Sequence, residues 1–139
     1  MRSIKTEAGY VVRLDLDEEI METLLAFVKA EKILGGSISG IGAVKGTALG
    51  FFDLHRRQYD RHELADDMEL VSFNGNITWF EDEPMIHAHA VVAGPDLVAR
   101  GGHVFESRIA VTGEFHVVTN ERRIDRTRNE RTKLNLIGD

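Results

Sequence analysis

One apolar segment, residues 84–94, constrains the fold of this chain more than any other stretch of its sequence. It begins at Pro84 and is followed by Pro95, and its run of small and branched apolar residues predicts a β-strand. Alternate side chains of a strand point to opposite faces, so His87 and His89 share one face. The other face carries apolar side chains that are expected to be buried: Ile86, Ala88, Ala90 and Val92. The segment therefore predicts a sheet with one core face and one histidine-bearing face.

Two histidines at alternate positions of a strand lie about 6–7 Å apart at the backbone, so both can reach one metal ion. A third ligand has to come from elsewhere, and we predict His103, because Gly101 and Gly102 before it allow a sharp turn with positive φ. Three neutral imidazoles suit Zn²⁺, the expected metal, and equally Ni²⁺, Fe²⁺ or Co²⁺. The alternative is that these histidines are half-buried structural residues bonded to the backbone or to water.

The spacing of the other titratable residues does not assign them to this site. His55, His62 and His116 are expected on the surface or just outside the metal ligands. Glu106, Glu114 or His116 could act as a base or orient a ligand, but the sequence does not position them and no catalytic residue is predicted. Three histidine ligands leave an open coordination position. A metal-dependent hydrolase or lyase acting on a small molecule, or a small-ligand sensor, is therefore an alternative to a purely structural metal site.

The composition excludes several classes of protein. The chain has no cysteine, which rules out disulfides and thiolate metal sites. No apolar run approaches the ~20 residues of a membrane span, and no signal peptide precedes the first strand, so a cytoplasmic protein without a membrane partner is expected. The net charge of −6 gives no general attraction for nucleic acid. Residues 1–139 contain no repeat or linker and are expected to form one domain.

A long amphipathic helix is predicted over residues 17–33, after a first strand at residues 9–15. Asp15 and Glu18 are spaced for a capping box, and Asp17 is an alternative N-cap. Four apolar residues at helical spacing predict a stripe packed on the sheet: Ile20, Leu24, Phe27 and Val28. The adjacent glycines that come next in the chain are expected to end the helix.

The segment at residues 37–53 is rich in glycine but lacks the spacing of a phosphate-binding loop. A dinucleotide motif would need glycine at Lys45, and a Walker motif would need Gly-Lys-Ser/Thr where the order is Lys-Gly-Thr. We predict two strands with a bend near Gly40 and Gly42. Alternating small residues in the second strand would let a helix or another subunit approach closely: Gly46, Ala48 and Gly50.

Two more long strands are predicted, at residues 68–80 and 107–119, the first with a bulge at residues 74–76. One face of each is expected to be buried: Val71, Phe73, Ile77 and Trp79 in the first, and Ile109, Val111, Phe115 and Val117 in the second. Residues 54–67 are expected to form an exposed loop or hairpin end. The charged tail is expected to be a solvated turn before a short strand at residues 133–136.

Five motifs occur in one order along the chain: Gly40-Ile41-Gly42-Ala43, Phe73-Asn74-Gly75-Asn76-Ile77, Pro84-x-x-His87-x-His89, Gly101-Gly102-His103 and Glu114. Together, over about residues 5–136, they resemble the PPC domain, the plants-and-prokaryotes conserved domain, in its prokaryotic stand-alone form. The resemblance implies an α/β (α+β) fold with a largely antiparallel sheet and a packed helix, assembled as a homotrimer. It also implies metal ligation by His87, His89 and His103.

The same resemblance implies a function in regulation, because prokaryotic members are often described as putative DNA-binding proteins and plant members contact transcription factors. Plant relatives bind DNA through added AT-hook segments, and this chain has no Arg-Gly-Arg-Pro element. It carries 17 basic against 23 acidic residues. The expected protein is therefore a trimeric metal-binding domain with a regulatory role and room for a small molecule at the metal, for which direct DNA binding is doubtful.

Overall fold

The computed structural model describes residues 1–138, and the predicted domain end at Asp139 lies outside them. Within the described residues the chain forms nine strands and one helix. In chain order these are β1 (Arg2–Thr6), β2 (Gly9–Leu14), α1 (Ile20–Ala30), β3 (Gly36–Asp53), β4 (Gln58–Leu64), β5 (Met68–Phe80), β6 (Glu83–Ala93), β7 (Ala99–Thr119), β8 (Arg126–Arg128) and β9 (Asn135–Ile137).

Seven strands form one antiparallel sheet in the order β1-β2-β7-β6-β5-β3-β4, and the sheet closes on itself because β3 also pairs with β7. The other two strands, β8 and β9, form a separate antiparallel pair. Closure turns one face of the sheet inward, and this face is apolar. Its largest fully buried side chains include Phe73, Phe115, Leu14, Ile38 and Ile109. The predicted largely antiparallel fold with a packed helix is therefore confirmed.

The helix α1 begins three residues later than predicted. Its N-cap is Glu19, whose side chain accepts a hydrogen bond from the backbone N–H of Glu22 at 2.6 Å. Asp17, predicted as an alternative N-cap, has φ 69° and lies in the loop before the helix. Glu18 accepts a hydrogen bond from the backbone N–H of Asp15 at 2.7 Å, so this pair closes a turn ahead of the helix rather than capping it.

The prediction of a long helix is wrong, since α1 has 11 residues. It ends at Ala30, and Lys32, with φ 54°, adopts the left-handed conformation that was expected of a glycine. Gly36 instead begins β3. The predicted apolar stripe is confirmed as buried: Ile20, Leu24, Phe27 and Val28. No helix in residues 1–138 has the length and apolarity that crossing a membrane requires.

The start of α1 is fastened to β7, the strand that carries His103. The buried carboxylate of Glu19 accepts a hydrogen bond from the Ser107 backbone N–H at 3.0 Å. The backbone N–H of Asp17 donates to the carbonyl oxygen of Ile109, and the N–H of Ile109 donates to the carbonyl oxygen of Glu18, both at 3.0 Å. A buried N–H without a partner costs free energy. The Glu19 carboxylate gives the Ser107 N–H a partner, which explains why an acidic residue is retained inside the apolar layer.

One continuous strand, β3, replaces the two strands that the glycine pattern predicted. The predicted bend is present as a shift of register between Gly40 and Gly42 in the pairing with β5. Ala48 and Gly50 are buried by residues of the same chain, so these two small residues provide no surface for another subunit. Because β3 is long, it pairs with β5 along one edge and with β7 along the other, and these pairings close the sheet.

The bulge of β5 lies earlier than predicted. The register of β5 against β6 shifts between Leu70 and Ser72, whereas residues 74–76 pair regularly. Because a bulge adds one residue and reverses the alternation, Val71 points outward and is 53% exposed instead of buried. The rest of the predicted pattern holds for Phe73 and Ile77, which are buried, while Trp79 is half-buried.

The strand β7 starts at Ala99, well before the predicted residue 107. Its pairing with β3 also shifts, since Gly42 pairs with Gly113 while Val44 pairs with Ile109. The additional β7 residues in this stretch turn Val111 outward, where it is 70% exposed, so its predicted burial is wrong. The predicted inward positions Ile109, Phe115 and Val117 are buried.

The segment after β7 folds back along β5. The backbone N–H of Trp79 donates to the carbonyl of Ile124 at 2.9 Å, and Trp79 also forms a parallel bridge with Asp125. The pair β8–β9 follows, and β9 begins two residues later than the short final strand predicted at residues 133–136. Residues 54–67 contain β4, so the predicted hairpin alternative is confirmed, whereas β1 was not predicted at all.

Candidate metal centre

Three histidine side chains converge on the outer face of the closed sheet: His87 and His89 from β6 and His103 from β7. One ring nitrogen from each lies within 4.8 Å of the others. Two Zn–N bonds of about 2.0–2.1 Å span at most about 4.2 Å. The ring nitrogens therefore lie near the spacing at which three of them share one ion, and rotation of the rings would bring them closer.

The strand alternation and the cross-strand register together produce this convergence. The residues Ile86, Ala88 and Ala90 are buried on the inner face, which fixes His87 and His89 on the outer face. His89 lies directly opposite His103 in the pairing of β6 with β7. Direct partners on a sheet have Cβ atoms about 4.5–5.5 Å apart on the same face. The third histidine is therefore supplied by the neighbouring strand.

The expectation of a turn at Gly101 and Gly102 is wrong. Both residues pair regularly with β6, opposite Val91 and Ala90. A Cβ on Gly102 would lie 2.7 Å from the carbonyl oxygen of Gly50 on β3. Glycine is thus needed here for close approach of two backbones at the point where the sheet closes, and not for a change of chain direction.

Aromatic side chains cover one side of His103. Tyr59 from β4 stacks on its ring, with centroids 4.7 Å apart and an interplanar angle of 28°. Phe105 meets the same ring edge-on at 5.1 Å. Gly50 makes room for both, since a Cβ there would lie 2.5 Å from the Phe105 ring and 3.0 Å from Tyr59. The aromatic contacts limit access of water to His103, while His89 remains exposed to solvent.

The environment keeps two of the imidazoles neutral. Burial, followed by the nearby His87 and His89, lowers the pKa of His103 to about 4. Burial, followed by the charges of Arg126 and His89, also lowers the pKa of His87. A neutral imidazole has a lone pair available for a metal at neutral pH, whereas a protonated one has none.

One ring atom of the cluster lacks a partner. The Nδ1 atom of His103 is buried and has no hydrogen bond within the described residues. Burying a polar atom without a partner costs about 1–3 kcal/mol, which a coordinated ion or a bound water would offset. Three imidazole donors and one orphaned nitrogen therefore fit a divalent metal better than they fit a purely structural histidine cluster.

Stability of the metal-free protein should depend on the protonation of His103. Its folded pKa of about 4 lies below the ordinary value of 6.5, so as pH falls from 6.5 towards 4 the unfolded state binds a proton that the folded state does not, and stability decreases. A full shift of this size would be worth about 3 kcal/mol, which solvent screening of this partly exposed ring reduces to about 1–2 kcal/mol. Urea unfolding of chelator-treated protein from pH 7.5 to 4.5 measures the effect.

In that experiment, His103→Gln is expected to lose less stability on acidification than the wild type, because the titrating group is gone. His116→Gln, at an exposed histidine outside the cluster, is the matched control and should follow the wild type. Identical pH profiles for the wild type and His103→Gln would contradict the predicted role of His103.

The remaining sequence candidates lie outside the cluster. His55, His62 and His116 are all exposed, as expected of surface residues. Across the sheet, His116 connects to His89 only through Ser39 of β3 and Asn74 of β5, so two strands lie between them on this path.

The two acids named as candidate bases, Glu106 and Glu114, lie outside the histidine cluster. Glu106 accepts a hydrogen bond from Arg61 at 2.9 Å. Glu114 lines a separate depression on the surface, together with His116, Ser39 and Asn74. Neither acid joins the histidine cluster, which contains the three imidazoles alone.

Three residues near the site were missed by the sequence reasoning. Phe105 follows His103 by two positions on one strand, so the strand period could have placed it on the same face. Tyr59 lies in a segment without apolar alternation, and Arg126 lies in the charged tail. Nothing local in the sequence distinguishes these last two, because tertiary packing alone brings them to the histidines.

A family model described as the Plants and Prokaryotes Conserved (PCC) domain matches residues 1–121. No curated protein matches the chain significantly. Among solved structures, a protein of Bacteroides thetaiotaomicron described as a “putative DNA binding protein” is 34% identical. The match covers 99% of this chain and 96% of that chain, with a TM-score of 0.96.

Two archaeal structures are also similar. A plant- and prokaryote-conserved (PPC) protein of Pyrococcus horikoshii is 28% identical over 94% of this chain and 90% of that chain, with a TM-score of 0.87. A protein of Archaeoglobus fulgidus described as metal-containing is 27% identical over 100% of both chains, with a TM-score of 0.86.

Proposed function

Because the chain belongs to the Plants and Prokaryotes Conserved domain family, we propose that it binds one divalent metal ion through His87, His89 and His103. The observation that carries this proposal is the grouping of three ring nitrogens within 4.8 Å on the outer face of the sheet. The name of the similar Archaeoglobus protein, which is described as metal-containing, supports it. Zinc is the first candidate, although the donors equally suit Ni²⁺, Fe²⁺ or Co²⁺.

We further propose that the metal presents an open coordination position to a small ligand. Three protein ligands are the number found in metal sites that keep such a position, and a bound ion supplies Lewis acidity there. Tyr59, stacked on His103, and Phe105, edge-on to it, shield one side, while the exposed His89 leaves the other side accessible. Within residues 1–138 the cluster consists of three imidazoles without a carboxylate, which favours ligand binding or sensing over hydrolysis, since hydrolysis needs a positioned base.

Elemental analysis of protein purified without a histidine tag tests the metal proposal. One divalent ion per chain, removable by a chelator and restored by dialysis against the metal, is the expected result. Metal well below one per chain that does not increase on reconstitution would overturn the proposal and leave the cluster as a structural element.

A homotrimer is the proposed assembly, as the family resemblance implies. One observation supports an interface at an apolar patch formed by Ile41, Val71 and Val111. They are 58%, 53% and 70% exposed, and they line one shallow depression. The buried Oγ1 atom of Thr112, which borders the same depression, has no hydrogen-bond partner within residues 1–138. Contiguous exposed apolar residues commonly mark protein–protein contacts.

Direct DNA binding is the second candidate function, and it is favoured by the description of the Bacteroides protein. The charge of this chain argues against it, at −6 overall. Part of the positive charge of the basic tail is already neutralised by acidic residues and is not free to bind phosphates. Arg123 pairs with Asp82 and Asp125, and Lys133 pairs with Glu130. A protein that neutralises only a few phosphates binds DNA weakly.

We therefore expect a dissociation constant no tighter than about 10⁻⁴–10⁻⁶ M for duplex DNA at physiological salt. Fluorescence anisotropy of a labelled duplex at ~150 mM salt measures this, with excess unlabelled duplex as competitor. Nanomolar binding that survives the competitor would contradict the expectation and restore a DNA-binding regulator as the leading function.

A further inference from the structure

A buried cation lies beside the three histidines. Arg126 of β8 is 8% exposed. Its guanidinium donates hydrogen bonds to Thr78 Oγ1 at 2.7 Å, to the carbonyl oxygen of Asn135 at 2.7 Å and to Asn76 Oδ1 at 2.8 Å. All three acceptors are neutral. Among these contacts in residues 1–138, the guanidinium has no carboxylate to balance its charge.

The guanidinium is held on the histidine-bearing face of the sheet. Asn76 of β5 is the direct cross-strand partner of His87, and direct partners point to the same face. A side chain bonded to Asn76 therefore lies next to the His87 ring. In agreement, the positive charge of Arg126 is one of the causes that lower the pKa of His87.

Residues 1–138 use only part of the bonding capacity of the guanidinium. Arginine has five N–H donors, and three of them are used by Thr78, Asn135 and Asn76. Burying an uncompensated charge is costly, so an anionic partner would stabilise this arrangement. Carboxylates and phosphates are the groups that a guanidinium binds best, through parallel hydrogen bonds.

We propose that Arg126 and the metal centre together form a site for a small oxyanion, a carboxylate or a phosphate group. The oxyanion would bind the open coordination position of the ion and face the guanidinium at its side. This inference rests on the proposed metal centre and names the chemistry of its ligand. The family match ends at residue 121, so the guanidinium would come from the segment that follows the matched region, whereas the three histidines lie within that region.

The test uses the full chain treated with chelator and reloaded with Co²⁺, whose visible absorption reports on its ligands. The cobalt content is measured first for the wild type, Arg126→Gln and Arg123→Gln. Each protein is then titrated with acetate, with inorganic phosphate and with imidazole. Acetate and phosphate distinguish the two kinds of oxyanion, and neutral imidazole reports on the open position alone.

With one cobalt per chain retained, Arg126→Gln is expected to weaken binding of acetate, phosphate or both by about tenfold or more. Its affinity for imidazole should be unchanged. Arg123→Gln removes a half-buried arginine of the same segment whose charge is paired with Asp82 and Asp125, and it should behave as the wild type. If Arg126→Gln weakens the binding of acetate, phosphate and imidazole equally, or weakens the binding of none of them, the oxyanion site is overturned and Arg126 has a structural role.

Two further results separate this inference from the metal proposal. If the wild-type protein takes up no cobalt, the proposed metal centre is contradicted. The proposed anion site is then contradicted as well, because it requires the bound ion. If Arg126→Gln does not fold, wild-type protein still provides a test. Acetate should bind it at least about tenfold more tightly than acetamide, which has a similar shape without the charge. Equal affinities for the two would refute the proposal.

Discussion

Alanine at any one of His87, His89 and His103 is expected to abolish stoichiometric metal binding. Removing a partner that only orients a metal ligand commonly reduces metal affinity by 10–100-fold, and loss of a direct ligand should cost at least about 100-fold. The cluster found in residues 1–138 consists of these three histidines, so each substitution leaves only two of its imidazole donors. Elemental analysis of untagged proteins, purified side by side, measures the metal content.

The control for this series is His116→Ala, which removes an exposed histidine from another part of the same sheet. It should retain one metal per chain. Thermal unfolding adds a second measurement, since a ligand at 100 times its dissociation constant stabilises the folded state by about 2.7 kcal/mol. Added metal should stabilise the wild type and His116→Ala but not the three cluster variants. Equal metal content in all of them would contradict the assignment of ligands.

The sequence predicts those parts of the fold that depend on local periodicity. The strand at residues 84–94 is present as β6 with its inward and outward faces as expected, and β5 has the predicted bounds. The apolar stripe of α1 is buried where helical spacing placed it. In each case the element forms because it buries apolar residues at a regular spacing, every second residue in a strand or one face of a helix. This spacing is visible in the amino-acid sequence.

Features that depend on register between distant strands were not predictable in the same way. Val71 and Val111 fit the inward parity of their strands, yet bulges in β5 and β7 turn both outward. Both strands pair with β3, and the register shifts occur around Gly42 in those two pairings. Likewise, the N-cap Glu19 is selected by its bond to Ser107, which lies 88 residues away in the chain.

For the candidate site, the sequence identified the three histidines but not the reason for their proximity. His87 and His89 follow from the period of one strand. His103 reaches them because β7 pairs with β6, whereas a glycine turn had been expected. Tyr59 and Arg126 arrive from the hairpin and from the C-terminal segment, and only the closed sheet and the folded-back tail bring them to the site.

Aspartate in place of Val111 is expected to dissociate the proposed trimer into monomers. Val111 is the most exposed of the three patch residues, at 70%, so the substitution should leave the monomer folded. Within a packed interface the same carboxylate would lose its hydration without a partner, at a cost of several kcal/mol in each of the contacts between chains. Light scattering should report about three times the 15.6 kDa chain mass for the wild type and one chain mass for Val111→Asp.

The matched control for this substitution is Val98→Asp, since Val98 is 53% exposed, lies between β6 and β7, and is not among the residues that line the depression. It should remain trimeric, because its new charge stays in water. A wild-type monomer at micromolar concentration would refute the trimer itself. A trimer that persists in Val111→Asp would show instead that the subunits associate through another surface. Metal content measured on the Val111→Asp monomer then decides whether the three histidines of one chain are sufficient for the site, as their grouping within a single chain leads us to expect.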